Sequence, residues 1–167
     1  RLCSFGLTSD CDTLIGAFES GFALYRPWQQ SMNWIAKVDE HDPDTRLNDG
    51  RIDRQGRFWA GSMREHGDAP KGKLYRLQQG EVKCMLSDIA ISNSLCWSPD
   101  SQQMYFADSP RQQIWTFPFS ADTGEIGTHT IFAETEQHAY PDGSCIDSRG
   151  NIWNAQWGAS QIKCYSP

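Results

Sequence analysis

Three stretches of this chain repeat one another: NDGRIDRQGRFWAG, NSLCWSPDSQQMYFAD and DGSCIDSRGNIWNA. In each, an oxygen-bearing side chain stands five residues before a turn residue. Asn48 precedes Asp53, Asn93 precedes Ser98 and Asp142 precedes Asp147. The turn residues lie 45 and then 49 residues apart, a period typical of propeller blades. Equivalent positions near the inner strand of each blade face a shared axis. Two amides and a carboxylate converging there would suit a hard cation.

The text between the repeats supports strands. Short apolar runs recur between Gly, Pro, Asp and Ser clusters, and no long stretch carries a 3.6-residue apolar period. Each repeat continues through a turn into a strand with a Leu or Ile beside an aromatic residue. The marks are Tyr25, Tyr75, Trp115 and, with Lys replacing the aromatic, Lys163. Their unequal spacing predicts loop insertions over residues 64–72 and 120–128, the second with a turn at Asp122–Gly124. An irregular antiparallel sandwich is the alternative, and three aligned copies of one signature count against it. At 167 residues the chain holds about 3.5 such repeats, fewer than the roughly four to eight blades of common propellers. Arg1 enters in mid-repeat on this reading, and the chain is expected to be a piece of something longer.

Charge and composition exclude several functions. Fifteen basic against twenty-one acidic residues give a net charge of −6, with no basic stripe for nucleic acid. No apolar run approaches the roughly 18 residues of a membrane span. Six cysteines are scattered without a CxxC pair, so they read as thiols, and a cytoplasmic setting is expected. The four histidines show no HExxH spacing, and neither a GxSxG elbow nor a P-loop is present. Residues 42–50 imitate a calcium loop, but Arg46 falls where such a loop needs an oxygen ligand. No WD or GH dipeptide marks the repeats, which disfavours WD40 blades.

Several residues have a plainer reading beside the functional one. Asn-Asp-Gly at 48–50 and Pro-Asp-Gly at 141–143 are turn tripeptides in their own right. Asn93 suits a strand end bonded to backbone, and Asp49 is expected to bond the amides of its own turn. The shared register of Asn48, Asn93 and Asp142 favours a common site. Arg46, two residues before Asn48, offers donors for a polyhydroxylated ligand. Asp53 and Asp147 read as turn-formers, and Asp108 as a structural hydrogen-bonder between blades. Trp59, Trp97, Trp115 and Trp153 read as packing between blades. Trp157 is placed at the channel rim.

RLNDGRIDRQGRFWAGSM, ISNSLCWSPDSQQMYFADS and PDGSCIDSRGNIWNAQWG together resemble the SMP-30/gluconolactonase/regucalcin-like family, in order and spacing, through most of residues 12–167. The resemblance implies a six-bladed all-β propeller of four-stranded antiparallel blades. This chain would form one partial domain over residues 1–167, without the N- and C-terminal blades. It also implies a divalent ion in the channel and hydrolysis of a sugar lactone, such as glucono- or arabinolactone, to the aldonic acid. By motif position, Asn93 and Asp142 resemble metal ligands, with Asp142 doubling as the base. Arg46 and Asn48 resemble the substrate-holding residues, Asn48 also lying near the metal. The family's remaining ligand, a Glu in its first blade, has no match here, and Glu19 does not replace it. Ser94 stands where the family usually has Gly, and Asn154 where it tends to have a small apolar residue. Calcium suits flexible oxygen ligands, while magnesium, manganese and zinc also bind such groups. The expected partner is a small lactone, with neither nucleic acid nor membrane. Self-association through exposed blade edges is expected, and the piece alone should be inactive. A non-catalytic propeller binding calcium or a protein is the rival reading, and a related propeller with different chemistry is a third.

Overall fold

The computed structural model describes residues 1–66 and 70–167, folded into four successive antiparallel sheets. The first holds β1 (Leu2–Leu7), β2 (Leu14–Phe18), β3 (Gly21–Arg26) and β4 (Ser31–Lys37). The second holds β5 (Thr45–Ile52), β6 (Phe58–Arg64), β7 (Gly72–Gln78) and β8 (Glu81–Ile89). The third holds β9 (Ser92–Trp97), β10 (Gln103–Asp108), β11 (Gln113–Pro118) and β12 (Thr130–Glu134). The fourth has three strands, β13 (Tyr140–Ile146), β14 (Ile152–Trp157) and β15 (Gln161–Tyr165). Strands follow sequence order in every sheet, as in propeller blades. The first strands lie side by side, β1 against β5, β5 against β9 and β9 against β13.

Strand pairing corrects the expected phase of the repeat. Leu2 opens a complete four-stranded sheet, so the chain does not enter in mid-repeat. Leu2↔Phe18, Leu47↔Ser62, Ser92↔Asp108 and Pro141↔Gln156 are equivalent pairs. In the first, second and fourth sheets the first strand then carries one more residue than its partner before pairing resumes, which is a β-bulge. In the third, Asn93 still pairs with Ala107 and the extra residue follows it. The residue following each pair is Cys3, Asn48, Asn93 or Asp142. Tyr75, Trp115 and Lys163 pair with Ala60, Phe106 and Asn154, two residues inward of those pairs. Tyr25 pairs with Leu14 and is two residues out of that register, where Ala23 is the true counterpart.

The core lies between sheets. Ala17 and Phe22 of the first pack with Leu47, Phe58, Ala60, Tyr75 and Leu77 of the second. Trp59 meets Trp97 and Phe119 with ring centroids 5.9 and 6.0 Å apart, and such pairs add about 0.5–1.5 kcal/mol each beyond burial. Trp59 and Trp97 thus pack as expected. Trp115 is buried too, but it stacks on His129 in its own sheet's loop. Trp153 differs from expectation, being 45% exposed with its indole N–H on Asp147. Gly61 allows the close approach of β6 to β9, because a Cβ there would lie 2.3 Å from Ser92 Cβ.

The expected insertion at 64–72 includes residues 67–69, which lie outside the described residues. The insertion at 120–128 folds back on the preceding sheet. Arg76 Nη1 donates to Thr123 O at 3.0 Å, Lys83 pairs with Glu125 at 2.7 Å, and Arg57 Nη2 donates to Ala121 O. Gly124 takes φ +68 within its turn, a conformation that costs glycine little. Asp108 accepts from the amides of Ala90 and Ile91, in the link between the second and third sheets.

The repeated turns explain Asp53 and Asp147. Asp53 Oδ1 accepts from the amides of Gln55 and Arg57 at 3.0 and 2.9 Å. Asp147 Oδ1 accepts from those of Arg149 and Asn151, both at 2.9 Å. The Asn151 side chain, with Trp153 and these amides, holds the Asp147 carboxyl down to about 2. A depressed folded-state pKa gives stability that is complete above the unfolded value and fades as pH falls. Between about pH 5 and about pH 3, the protein should therefore lose more stability than its Asp147→Ala variant. Urea midpoints measured across that range test this, and parallel curves for the two proteins would refute it.

Candidate functional site

The first-strand bulges bring the predicted residues together. Asn48, Asn93 and Asp142 line one pocket of about 510 Å³, with Ile91, Ser109, Pro110, Tyr140, Pro141 and Trp157. That volume suits a small molecule. Neither tripeptide is the expected turn, because Asn48–Gly50 lies inside β5 and Pro141–Gly143 inside β13. A bulge frees one residue from the ladder and re-aims its side chain, which is why turn-like residues occur within a strand.

Hydrogen bonding sorts the three side chains into two kinds. Asn48 is engaged at both side-chain atoms: its Oδ1 accepts from Arg46 Nη1 at 2.9 Å and its Nδ2 donates to Ser92 O at 3.1 Å, leaving a second Nδ2 hydrogen without an acceptor among the described residues. Asn93 donates Nδ2 to Ser109 Oγ at 2.9 Å. Its Oδ1 accepts no hydrogen bond among the described residues, nor do the carboxylate oxygens of Asp142. These acceptors fit a hard divalent cation, since all are oxygens and none is already satisfied by a donor. The Asn48 oxygen, already facing a guanidinium, does not.

Arg46 is one step removed from this pocket. It also donates Nη1 to Leu47 O at 2.9 Å and pairs through Nε with Glu65 at 2.8 Å. It lines a neighbouring pocket with Glu19, Asp39 and Glu65, and touches the first pocket through Asn48. Glu19 pairs with Arg1 at 2.7 Å. Asp49 lies within β5 and not in a turn, and it accepts from the Leu95 amide of the next sheet at 3.2 Å. Burial pushes its carboxyl up, and the nearby Asp142 charge adds to that. Trp157 is 68% exposed at the pocket edge, its ring centroid 5.7 Å from that of Tyr140.

The position equivalent to these three in the first sheet is Cys3. The signal for it was present, because Cys3 precedes Thr8 by five residues and Thr8 precedes Asp53 by 45. Burial raises the Cys3 thiol above its ordinary value.

Serine hydroxyls fasten the strand that carries Asp142. Ser109 Oγ donates to Pro141 O at 2.6 Å, linking Asn93 to the backbone beside Asp142. Ser94 Oγ donates to Asp142 O at 2.5 Å. Ser94 has φ +66, the left-handed conformation that favours Gly. Asn154 is fully buried and donates Nδ2 toward Ser94 Oγ, Ser144 Oγ and Asp142 O at 3.1, 3.0 and 3.2 Å. The two departures from the family pattern therefore touch each other.

Comparison with known proteins gives this arrangement a family. The model of the SMP-30/Gluconolactonase/LRE-like region matches residues 2–167. L-arabinolactonase of Azospirillum brasilense is 36% identical over 172 residues, covering all of this chain and 57% of that protein. The solved luciferin-regenerating enzyme superposes with a TM-score of 0.91 at 30% identity, covering 99% of this chain and 58% of that one. Regucalcin from Agrobacterium tumefaciens, described as a calcium-binding protein, gives 0.91 at 31% identity, over 97% and 55%. The chain thus spans about half the length of the relatives it matches. Among the described residues, no helix is long and apolar enough to cross a membrane.

Proposed function

Because this chain belongs to the SMP-30/gluconolactonase/LRE-like family, we propose that it supplies one wall of the active site of a divalent-metal-dependent sugar lactonase. The observation that carries the reading is the pairing, in one pocket, of Asn93 Oδ1 and the Asp142 carboxylate, acceptors without donors among the described residues. The arabinolactonase name of a relative supports a lactone as substrate.

The four sheets would form part of a six-bladed ring, with Asn93 and Asp142 as two ligands of a central ion. Calcium fits these oxygens best, with magnesium, manganese or zinc as alternatives. When bound, such an ion polarises the lactone carbonyl and lowers the pKa of water. Asp142 takes a proton from water as its oxygen adds to the lactone carbonyl carbon. The ring C–O bond then breaks, and the ring oxygen takes the proton back from Asp142 to leave as a hydroxyl of the aldonic acid. Asn48, held in place by Arg46, presents its amide to the sugar hydroxyls, and Arg46 fixes that amide's orientation. Tyr140 and Trp157 give the sugar ring an apolar face to lie against.

Exposed apolar side chains support a larger ring. Phe5 and Leu7 of the first sheet are 55% and 75% exposed, and Trp153 and Ile162 of the fourth are 45% and 69%. Faces of this kind are covered in a closed propeller, and left open they favour self-association. With no residue matching the family's Glu ligand, the 167-residue chain alone should be inactive.

The test is turnover of D-glucono-1,5-lactone and L-arabinono-1,4-lactone by the protein with its complete ring. Activity should disappear on chelation and return with calcium or another divalent ion. Undiminished turnover in chelator would remove the ion from the mechanism. The description of the Agrobacterium relative as calcium-binding supports a second reading, a non-catalytic calcium-binding propeller. Calcium binding without turnover of either lactone would favour it.

A further inference from the structure

We infer that Ser94 and Asn154 act together as a positioning pair for Asp142, an inference that rests on the role given to Asp142 above. Both residues are locally unfavourable where they stand. Ser94 holds φ +66, outside the range most side chains adopt. Asn154 is 0% exposed, and its Oδ1 has no hydrogen-bond partner among the described residues. A buried carbonyl left without a donor is costly. Local costs gathered at one place are expected where function requires them.

Both costs serve the same atom. Asp142 O receives the Ser94 hydroxyl at 2.5 Å and the Asn154 amide at 3.2 Å. That carbonyl needs such partners because it lies in the β13 bulge, where ladder pairing skips from Pro141 to Ser144. The next residue is Gly143, whose Cβ position has nothing within 4 Å. Neither sterics nor a neighbouring ladder bond would otherwise fix the peptide between residues 142 and 143. Its rotation changes the backbone from which the Asp142 carboxylate projects. Ser109 holds the preceding carbonyl, Pro141 O, at 2.6 Å. Hydroxyls from the third sheet thus fasten the carbonyls on both sides of Asp142 Cα, and the same sheet supplies Asn93.

Asn154 joins the two halves of the device. It lies on β14, opposite Ser144 of β13, and reaches Ser94 on β9 across the sheet-to-sheet contact at 3.1 Å. A Gly at 94 would relax the backbone but remove the hydroxyl that serves both Asp142 O and Asn154. A small apolar residue at 154 would remove the amide. Each residue is thus explained by the other.

The experiment uses the protein with its complete ring, as wild type, Ser94→Gly, Asn154→Ala, the double variant and Asp142→Asn. Three quantities are read: calcium affinity by calorimetry, melting temperature, and kcat for D-glucono-1,5-lactone. Ser94→Gly should melt at or above the wild-type temperature, because left-handed strain is relieved. Its calcium affinity and kcat should nonetheless fall about 10–100-fold, as for losses of groups that orient a ligand. Asn154→Ala should lose a similar factor, and the double variant little more than either, since both act through one carbonyl. Ser94→Gly with wild-type affinity and kcat, beside an Asp142→Asn variant that loses both, would sink the pair while sparing the role of Asp142. Losses in Ser94→Gly that vanish once corrected for unfolded protein would reduce the pair to a structural one and overturn it equally. Calcium affinity unaffected by Asp142→Asn would end the reading of Asp142, and the pair would fall with it.

Discussion

Asp142→Asn should lower lactone turnover by about 10²–10⁴-fold, the usual worth of a positioned general base, while leaving the protein folded. The substitution keeps the size of the side chain and one oxygen that can face a cation. It deletes the anionic proton acceptor. Asp142 makes no side-chain hydrogen bond among the described residues, and its backbone carbonyl is held by Ser94 and Asn154 regardless of the side chain. The melting temperature should therefore barely move, which separates this effect from misfolding. Divalent-ion affinity should weaken without vanishing, because a charged ligand becomes a neutral one. Asp142→Ala goes further and removes the ligand along with the base. Measurement at saturating ion isolates the proton transfer, and near-normal kcat of the Asn variant there would show that another group takes the proton. Asn48→Ala offers a contrast. Its amide is engaged with Arg46 and Ser92 O, so its loss should raise KM more than it weakens ion binding.

Much of this site was legible because the repeat puts equivalent side chains in equivalent places. A spacing of five between an oxygen-bearing residue and a turn residue survives in three sheets, since the strand linking them has fixed length. The fourth copy, Cys3 to Thr8, keeps the spacing but changes the residue types, so a search on oxygens passed over it. Asn-Asp-Gly and Pro-Asp-Gly read as turns because those residues tolerate bent backbone. The same tolerance serves a bulge within a strand, and only pairing distinguishes the two. The contact of Ser94 with Asn154 was not legible, since 60 residues separate them and nothing local links their identities. Asn48 shows a different limit: its spacing matched the other two, but a guanidinium two residues upstream occupies its oxygen. Trp153 shares its place in the repeat with Trp59, yet Trp59 packs on Trp97 of the following sheet while Trp153 stays 45% exposed.

The largest effect on stability should come from Asp53→Ala, at about 3–5 kcal/mol, the cost of stranding one partner of a buried ion pair. Asp53 and Arg57 meet at 2.8 Å with side chains 0% and 3% exposed. Asp53 also accepts from two backbone amides and, at 3.0 Å, from the Trp59 indole. Its removal leaves a guanidinium in the interior, beside the Phe119 ring and the 120–128 insertion, with no anion to balance it. The chain contains its own control. Asp147 receives the same two amide bonds and an indole N–H, but Asn151 stands where the second sheet has Arg57, and the site is only half-buried. Asp147→Ala should therefore cost much less at neutral pH, although the local hydrogen bonds are nearly matched. A second comparison isolates the charge. Asp53→Ala combined with Arg57→Leu removes the stranded cation and should recover part of the loss, since apolar replacement of a buried pair is often close to neutral. Urea unfolding of the wild type and the three variants reads all of this from the midpoints. Equal losses for Asp53→Ala and Asp147→Ala, with no recovery in the double variant, would mean that the turn's hydrogen bonds, and not the buried charge, set the stability of this repeat.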